Sequence, residues 1–193
     1  MEVRPASPDR RAALASVFGR AFVSEPMMLW PLGECEDLVQ RVTAAFDCFL
    51  EQVLPLGIVW EFNDAEGAVA WVPPDAAVGW ERHPWNDPRI AALADDGGAR
   101  YEAFWRWVDE ESPEGSLWQL DSIAVDPRLQ GRGIGSALIA SGLERARAAR
   151  AGAYLSTGTP RNVAIYARAG FEVVKQADAP GGGPTVWFMR WDP

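Results

Sequence analysis

A glycine-rich loop between an apolar run and a helical pattern constrains this chain more than any other stretch. The apolar run Leu117–Val125 precedes the loop, and the helical pattern Ile134–Ala151 follows it. Between them, Gly131, Gly133 and Gly135 stand at alternate positions. Glycine permits positive φ angles and a close approach of the backbone to a ligand. A helix that begins at such a loop presents unpaired N–H groups and the positive end of its dipole, so the stretch predicts a site for a phosphate-like anion.

The loop fits neither of two common nucleotide signatures. A GxGxxG dinucleotide fingerprint would need glycine where Ser136 or Leu138 stands, and the region around Arg150 lacks the acidic ribose ligand. A P-loop needs Gly-Lys-Ser/Thr, which the sequence does not contain. The pattern that remains is Gln130-x-x-Gly133-x-Gly135, after a strand and before a helix.

Composition narrows the classes of function. The net charge of −9 argues against nucleic-acid binding, which requires a basic patch. No apolar run is long enough for a membrane span, and the first residues lack the apolar core of a secretory signal. Cys35 and Cys48 suit neither a zinc site nor a disulfide framework. We therefore expect a cytoplasmic protein with free thiols, no metal and no membrane partner.

Periodicity and turn residues predict an α/β fold with one domain across residues 1–193. Strands are predicted at 2–6, 58–62, 68–72, 117–125, 153–156, 171–176 and 185–191, and helices at 9–22, 36–53, 99–110, 134–151 and 162–169. Ser24–Pro31 is predicted as an apolar loop that either covers the core or forms a wall of a substrate pocket. Residues 76–115 are the least regular, and His83 within them is interpreted as incidental.

Two segments together resemble the GCN5-related N-acetyltransferase (GNAT) superfamily. Gln130–Gly135 is similar to that family's signature for acyl-coenzyme A, and Asn162–Phe171 is similar to its Asn…Tyr…Gly-Phe segment. The Pro-Arg-Asn run before Tyr166 and the Pro-Gly-rich turn before Trp187 look closest to the branch of puromycin N-acetyltransferase. The resemblance implies a mixed, mostly antiparallel sheet with helices on both faces. It also implies an acyl-CoA site at the loop after the fourth strand, before the helix that the family counts as its third.

The resemblance implies residues that hold the donor, acetyl-CoA. Backbone N–H groups of the glycine loop would cradle the pyrophosphate, with added charge from Arg132. The fourth strand would offer its backbone to the pantetheine arm, with an oxyanion donor near Ile123. Asn162 would either contact that arm or cap its helix. The predicted donor residues are Ile123, Ala124, Val125, Gln130, Gly131, Arg132, Gly133, Ile134, Gly135, Ser136 and Asn162.

Tyr166 and Asp121 are the predicted catalytic residues. The family's tyrosine protonates the departing thiolate, and a phenol suits that role because its ordinary pKa is about 10. On the fourth strand, Gln119 and Asp121 point to the side opposite Trp118 and Leu120. Asp121 is a carboxylate in an apolar run, so we expect it to be the base, to bind a cationic amine, or to pair with an arginine. Glu110 and Glu111 are weaker alternatives.

The acceptor site is predicted in the variable segment 76–115 before the loop. Tryptophans there and near Trp30 either hold a cationic or flat acceptor by cation–π contact or belong to the core. The acceptor-site candidates are Trp30, Trp80, Trp85, Trp105, Trp107 and Gln119. The predicted function is transfer of an acetyl group to a primary amine of a small molecule. The sequence leaves the oligomeric state open, with a homodimer as one alternative. The alternatives left open are a non-catalytic acyl-CoA-binding module and a protein or peptide acetyltransferase.

Overall fold

The computed structural model describes residues 2–33, 35–76 and 83–193. Within these ranges seven strands form one sheet in the order β1-β2-β3-β4-β5-β7-β6. The strands are β1 (Val3–Pro5), β2 (Val59–Phe62), β3 (Gly67–Val72), β4 (Trp118–Val125), β5 (Ala153–Thr157), β6 (Glu172–Asp178) and β7 (Thr185–Trp191). The helices are α1 (Arg11–Phe22), α2 (Pro26–Leu32), α3 (Leu38–Val53), α4 (Pro88–Ala91), α5 (Ala99–Glu111), α6 (Ile134–Ala148) and α7 (Pro160–Arg168).

Helices cover both faces of the sheet, as the sequence predicted. On one face, α1 and α3 bury Leu14, Phe18 and Phe46 in a core that includes Ala124 of β4. On the other face, α6 buries Leu138 and its neighbours against β2, β3 and β4. The mixed, mostly antiparallel α/β fold is therefore confirmed.

The two central strands β4 and β5 separate along their length. They pair in parallel at two positions, where Trp118 and Gln119 lie beside Ala153 and Tyr154. Beyond Gln119, β4 continues to pair with β3 as far as Val125 but not with β5. One edge of β4 therefore carries backbone groups that β5 does not satisfy, and a gap opens in the middle of the sheet.

A β-bulge at Asp121 lies beside this gap. Ala70 of β3 pairs with Ser122 and Trp71 pairs with Leu120, so Asp121 is the extra residue on β4. A bulge bends its strand and re-aims the side chain that it carries. Asp121 consequently turns toward the α3 side, where it contacts Trp85, while Leu120 packs on the α6 side. The predicted opposition of these two side chains is confirmed.

One prediction about local structure was wrong. Ser24–Pro31 was predicted as a loop, but Pro26–Leu32 forms α2, because Pro26 fits the first turn and burial of Met27, Met28 and Leu32 stabilises the helix. Pro31 lies inside this helix. Part of the irregular segment also forms short helices, including α4. Trp80 and the rest of 77–82 lie outside the described residues. None of the described helices has the length and apolar character needed to span a bilayer.

Candidate active site

A cavity of about 1060 Å³ occupies the gap between β4 and β5. The β4 residues from Gln119 to Val125 form one wall, and the loop to α6 forms one end. Tyr166 and Asn162 of α7 also line the cavity, as does Glu25 between α1 and α2. His83, Trp105 and Asp109 line the other end. One cavity thus brings together the glycine loop and the residues predicted for chemistry.

The glycine loop closes the end of the cavity that we call the donor end. Gly131 and Gly133 have φ angles of 77° and 84°, and Gly133 caps the N-terminus of α6. A Cβ added to either glycine would meet nothing within 4 Å. The glycines are thus required by their left-handed backbone rather than by packing. Ile134, Gly135 and Ser136 continue the lining into the first turn of α6, whose free N–H groups favour an anion.

Asp126 fixes the start of this loop. Its carboxylate accepts hydrogen bonds from the backbone N–H and guanidinium of Arg128, and from Arg20 at 2.8 Å. These contacts, led by the Arg128 guanidinium, hold the pKa of the Asp126 carboxyl well below its ordinary value. The acid therefore stays ionised and orders the turn that leads from β4 into the glycine loop.

Cationic side chains lie at the donor end, but Arg132, the cation predicted from the sequence, is not among them. Arg20, Arg161 and Arg168 line the cavity, and Arg161 approaches Gln130 at 3.4 Å. Arg132 is exposed and does not belong to the lining formed by the described residues. The sequence missed the other three because arginines on separate elements carry no local pattern.

The unpaired edge of β4 fits an extended ligand arm. Ile123, Ala124 and Val125 all line the cavity at the stretch that β5 leaves unpaired. Backbone N–H and C=O groups on such an edge can pair with an extended chain as a neighbouring strand would. With the helix N-terminus and the nearby arginines, this donor set fits the pyrophosphate and amide-bearing arm of a coenzyme A.

The middle of the cavity joins Tyr166, Asn162 and Glu25. Tyr166 is 7% exposed and packs edge-on against Phe171. Burial and the charge of Glu25 raise the pKa of its phenol, so it stays protonated at neutral pH. The side chain of Thr159 caps the N-terminus of α7 by accepting the N–H of Asn162. The side chain of Asn162 is therefore not the cap, which was one of the two roles predicted for it. The side chain of Asn162 instead donates to Glu25 at 3.2 Å.

Glu25 is a half-buried carboxyl in this central region. Its Oε1 accepts the N–H of Gly158 at 3.3 Å, and its Oε2 accepts the amide of Asn162. Burial raises the pKa of Glu25 to about 6, against the two hydrogen bonds, which favour the ionised form. The sequence analysis missed this residue. Its position directly before Pro26 at a helix start was visible, but its contacts are to residues more than 130 positions away.

Asp121 marks the opposite end, which we call the acceptor end. Its side chain is 3% exposed and accepts hydrogen bonds from Trp85 Nε1 at 3.0 Å, Ser122 Oγ at 2.7 Å and Gln119 Nε2 at 3.4 Å. Among the described residues no arginine or lysine pairs with it. The arginine-paired alternative is therefore not what this part of the structure shows. Neutral donors hold the carboxylate in place.

His83 and Asp109 also belong to the acceptor end. His83 Nε2 lies 3.6 Å from Asp121 Oδ2, and His83 Nδ1 accepts the N–H of Trp85. His83, interpreted as incidental from the sequence, thus lies in the cavity beside the predicted base. Asp109 of α5 lines the cavity beside them, and burial together with the negative Asp121 and Glu110 raises the pKa of its carboxyl against the influence of His83. Neither could be found from the sequence, since each depends on how α5 and residues 83–85 pack on β4.

The predicted tryptophans divide into two groups. Trp85 and Trp105 line the cavity and stack at 5.9 Å between ring centroids, and Gln119 lies beside them. Trp30 and Trp107 do not line the cavity. They pack against Phe104 in a separate core cluster that Trp105 also contacts, and the guanidinium of Arg100 covers the Trp30 ring. Trp30 is therefore not brought to the cavity, because α2 turns its ring toward α5. The described residues contain no group of three or more His, Cys, Asp or Glu side chains placed to hold a metal.

Comparison with known proteins gives a consistent result. A family model described as the acetyltransferase (GNAT) family matches residues 58–171. The chain is 36% identical over 118 residues to a mycothiol acetyltransferase of Cellulomonas flavigena, which covers 54% of this chain and 34% of the relative. It is 32% identical over 123 residues to the mycothiol acetyltransferase of Mycolicibacterium gilvum, covering 55% and 39%. The chain thus spans about a third of the length of these curated relatives.

Solved structures share the fold over their whole length. A crystal structure from Corynebacterium glutamicum, described as histone acetyltransferase HPA2 and related acetyltransferase, superposes with a TM-score of 0.72 at 22% identity. It covers 99% of this chain and 95% of that one. A polyamine N-acetyltransferase of Drosophila melanogaster gives a TM-score of 0.62 at 17% identity, covering 100% and 99%. At these identities the likeness concerns the fold.

Proposed function

The chain belongs to the GNAT family of acetyltransferases, and we propose that it transfers the acetyl group of acetyl-CoA to a primary amine of a small molecule. The observation that carries this proposal is the shared cavity. It joins an anion-binding helix N-terminus, a buried tyrosine and a group of carboxylates within one space of about 1060 Å³. An anionic donor and a cationic acceptor suit the opposite charges of the two ends.

The donor end supports a coenzyme A site. We propose that the N–H groups from Gln130 to Ser136 hold the pyrophosphate, including those of Gly131, Arg132, Gly133, Ile134 and Gly135. The edge of β4 at Ile123, Ala124 and Val125 would hold the pantetheine arm, with an oxyanion donor near Ile123. Arg161 and Arg168 line this end and would add charge more directly than the Arg132 side chain. When bound, the thioester supplies an acyl carbon already activated toward an amine.

Tyr166 is proposed as the general acid. It lies in the wall between the two ends, and its raised pKa keeps the phenolic proton available for a departing thiolate. Asp121 is proposed to act on the acceptor amine, either as its base or as the carboxylate that binds its ammonium. The neutral hydrogen bonds to Asp121 leave its negative charge unpaired by arginine, which suits both roles.

Residues 76–115 are proposed to shape the acceptor site within a single domain spanning 1–193. The described part of this segment supplies His83, Trp85, Trp105 and Asp109 to the cavity. The carboxylates favour a cationic acceptor. The Trp85 ring is covered by Phe49 and Trp105, so the aromatic lining left at Trp105 favours an apolar body on that acceptor. The relation to the puromycin N-acetyltransferase branch stays a prediction.

The direct test measures the release of free thiol from acetyl-CoA with a panel of acceptors. The panel contains small amines, peptides with a free amino terminus, and alcohols. We expect release that depends on a small primary amine, together with calorimetric binding of coenzyme A. Binding without release by any acceptor would favour a non-catalytic acyl-CoA module. Release with peptides alone would favour a peptide acetyltransferase, and release with alcohols alone would exclude amine transfer.

A further inference from the structure

We propose that Trp85 is a positioning residue for the acceptor: its indole N–H holds one oxygen of the Asp121 carboxylate so that the other oxygen faces the bound ammonium. This inference rests on the proposed N-acetyltransferase function and assigns to it a residue of the variable segment 76–115. Trp85 acts through Asp121 and does not itself touch the reacting atoms. The two residues are 36 positions apart in the chain, and Trp85 Nε1 lies 3.0 Å from Asp121 Oδ1.

The two oxygens of the Asp121 carboxylate have unequal surroundings. Oδ1 accepts hydrogen bonds from Trp85 Nε1 at 3.0 Å and from Ser122 Oγ at 2.7 Å. Within the described part of the chain, Oδ2 accepts the longer hydrogen bond from Gln119 Nε2 at 3.4 Å, and His83 Nε2 lies 3.6 Å away. A carboxylate oxygen has about two acceptor positions, so Oδ1 is fully used and Oδ2 keeps capacity for a donor on the ligand.

Two donors on one oxygen fix the rotation of the Asp121 carboxylate. The terminal torsion of an aspartate side chain is broad and roughly two-fold, so a carboxylate that turned freely would exchange Oδ1 and Oδ2. Ser122 is the next residue on β4 and moves with Asp121, whereas Trp85 belongs to a different segment. The contact with Trp85 therefore sets the direction of the carboxylate relative to the rest of the cavity.

The Trp85 ring is itself held by other aromatic rings. It is 3% exposed and stacks on Phe49 of α3 at 4.4 Å and on Trp105 of α5 at 5.9 Å between ring centroids. The ring of Phe46 meets it edge-on at 5.0 Å. An indole nitrogen carries one donor in the plane of the ring, so a fixed ring gives the N–H a fixed direction.

A second buried tryptophan shows that burial of an indole does not require a charged partner. Trp71 of β3 is fully buried and donates its Nε1–H to the backbone carbonyl of Leu138 at 3.3 Å. Trp85 instead donates to a carboxylate that lines the cavity. A hydrogen bond to an ionised group is about twice as strong as one between neutral groups. The partner therefore distinguishes Trp85 from an ordinary core tryptophan.

This arrangement divides the recognition of a cationic acceptor between two parts of the chain. The strand β4 supplies the charge at Asp121, and the variable segment supplies the donor that directs it. A substitution at Trp85 therefore alters the selectivity for cationic acceptors without altering the charge of the site.

The test is a double-mutant cycle for kcat/KM with a small amine that is protonated at neutral pH. Its four proteins are wild type, Trp85→Phe, Asp121→Asn and the double variant. Trp85→Phe should lower kcat/KM about tenfold in the wild-type background, because it removes a hydrogen bond to a charged group. In the Asp121→Asn background the same change should lower kcat/KM less than about twofold, because no charge remains to be directed.

A purely structural role for Trp85 predicts a different result. Loss of packing would lower kcat/KM by the same factor in both backgrounds, and as much with a weakly basic, neutral amine as with the protonated one. Trp187→Phe is the matched control, because Trp187 Nε1 donates to Gln176 Oε1 at 3.0 Å and Trp187 is not in the cavity lining formed by the described residues. This control should leave kcat/KM within about twofold of wild type.

The remaining outcomes are separable. If Trp85→Phe does not fold, benzothienylalanine in place of Trp85 enters the same cycle, since it exchanges only the indole N–H for sulfur and keeps the shape of the ring. If no amine releases thiol with wild type, the proposed function itself fails. If amines release thiol but the losses are equal in the two backgrounds, or Asp121→Asn changes nothing, only the assignment of Trp85 fails.

Discussion

The two ends of the cavity are built in different ways. The donor end consists mainly of backbone: the free edge of β4, the glycines at positive φ and the first turn of α6, all from one continuous stretch between Ile123 and Ser136. The acceptor end consists mainly of side chains that come from separate parts of the chain, including His83, Asp109 and Asp121. The difference implies that the donor end tolerates many side-chain changes and the acceptor end does not.

The ends also differ in charge. Arginines and a helix N-terminus line the donor end, whereas Asp109 and Asp121 line the acceptor end and Glu25 lies between them. The net charge of −9 hinted only weakly at a cationic acceptor, since surface acids contribute equally to it. The location of the acids in the cavity makes the argument specific. These acids lie at the end of the cavity away from the proposed coenzyme A site, where the acceptor would bind.

Tyr166 lines the cavity that contains both ends and is the proposed general acid, so its substitution should have the largest effect. Tyr166→Phe removes only the phenolic hydroxyl from a side chain that is 7% exposed, and the ring keeps its contact with Phe171. We expect kcat to fall by about a hundredfold while the affinities for both substrates change little, since a general acid acts in the transition state. Steady-state thiol release and coenzyme A calorimetry measure the two quantities.

Thermal unfolding of Tyr166→Phe provides the control, and its midpoint should stay close to that of wild type. Unchanged turnover with every accepted amine would remove Tyr166 from the acid role. A parallel loss of affinity for the donor and for the acceptor would show that the two ends are coupled through α7. The two ends would then not act as independent binding sites.

The Asp121→Asn substitution probes the acceptor end alone. Asparagine keeps the size of the side chain and can still accept from Trp85 Nε1 and Ser122 Oγ, but it removes the charge next to His83. We expect about a 30-fold rise in KM for a cationic acceptor, since a hydrogen bond to a charged group contributes about 1.5–3 kcal/mol. Coenzyme A affinity should not change.

The pH dependence of Asp121→Asn separates its two proposed roles. A cation binder should lose affinity for the amine equally across the pH range in which the amine is charged. A base should show partial recovery of turnover at higher pH. A change in donor affinity of similar size would contradict the separation of the two ends.

The difference between the ends explains what the sequence could predict. The donor end follows from residues that are contiguous, with glycine spacing and helix start visible in about a dozen positions, and the structure brings nearly all of them to the cavity. Arg132 is the exception, because a side chain on an exposed loop has no local pattern that fixes its direction. The strands and most helices followed from periodicity for the same local reason.

The acceptor end depends on contacts between distant elements, and the sequence contained little of it. Asp121 was found because a carboxylate is unusual in an apolar strand, but the bulge that turns it toward Trp85 depends on pairing with β3. Glu25 and Asp109 have no local signature, and α2 and α5 bring them to the cavity only after packing. Trp30 and Trp105 looked alike in the sequence, and only the packing of α2 against α5 separates a core ring from a cavity wall.

A pair of glycine substitutions tests whether the donor end depends on backbone conformation. Gly133 has a φ of 84° and open space around its Cβ position, whereas the backbone of Gly135 is ordinary and a Cβ there would lie 3.8 Å from Val125. Gly133→Ala should weaken coenzyme A binding about tenfold, because the left-handed conformation costs alanine about 1–2 kcal/mol and the loop would relax away from it. Gly135→Ala, with the same added methyl, should change binding by less than about twofold.

Calorimetry of coenzyme A binding measures the affinities of both glycine variants. Acceptor KM should stay unchanged in each, since neither glycine lies at the acceptor end. Equal losses in the two variants would mean that space for the ligand, rather than backbone conformation, sets the affinity. The donor end would then depend on side-chain volume in the same way as the acceptor end.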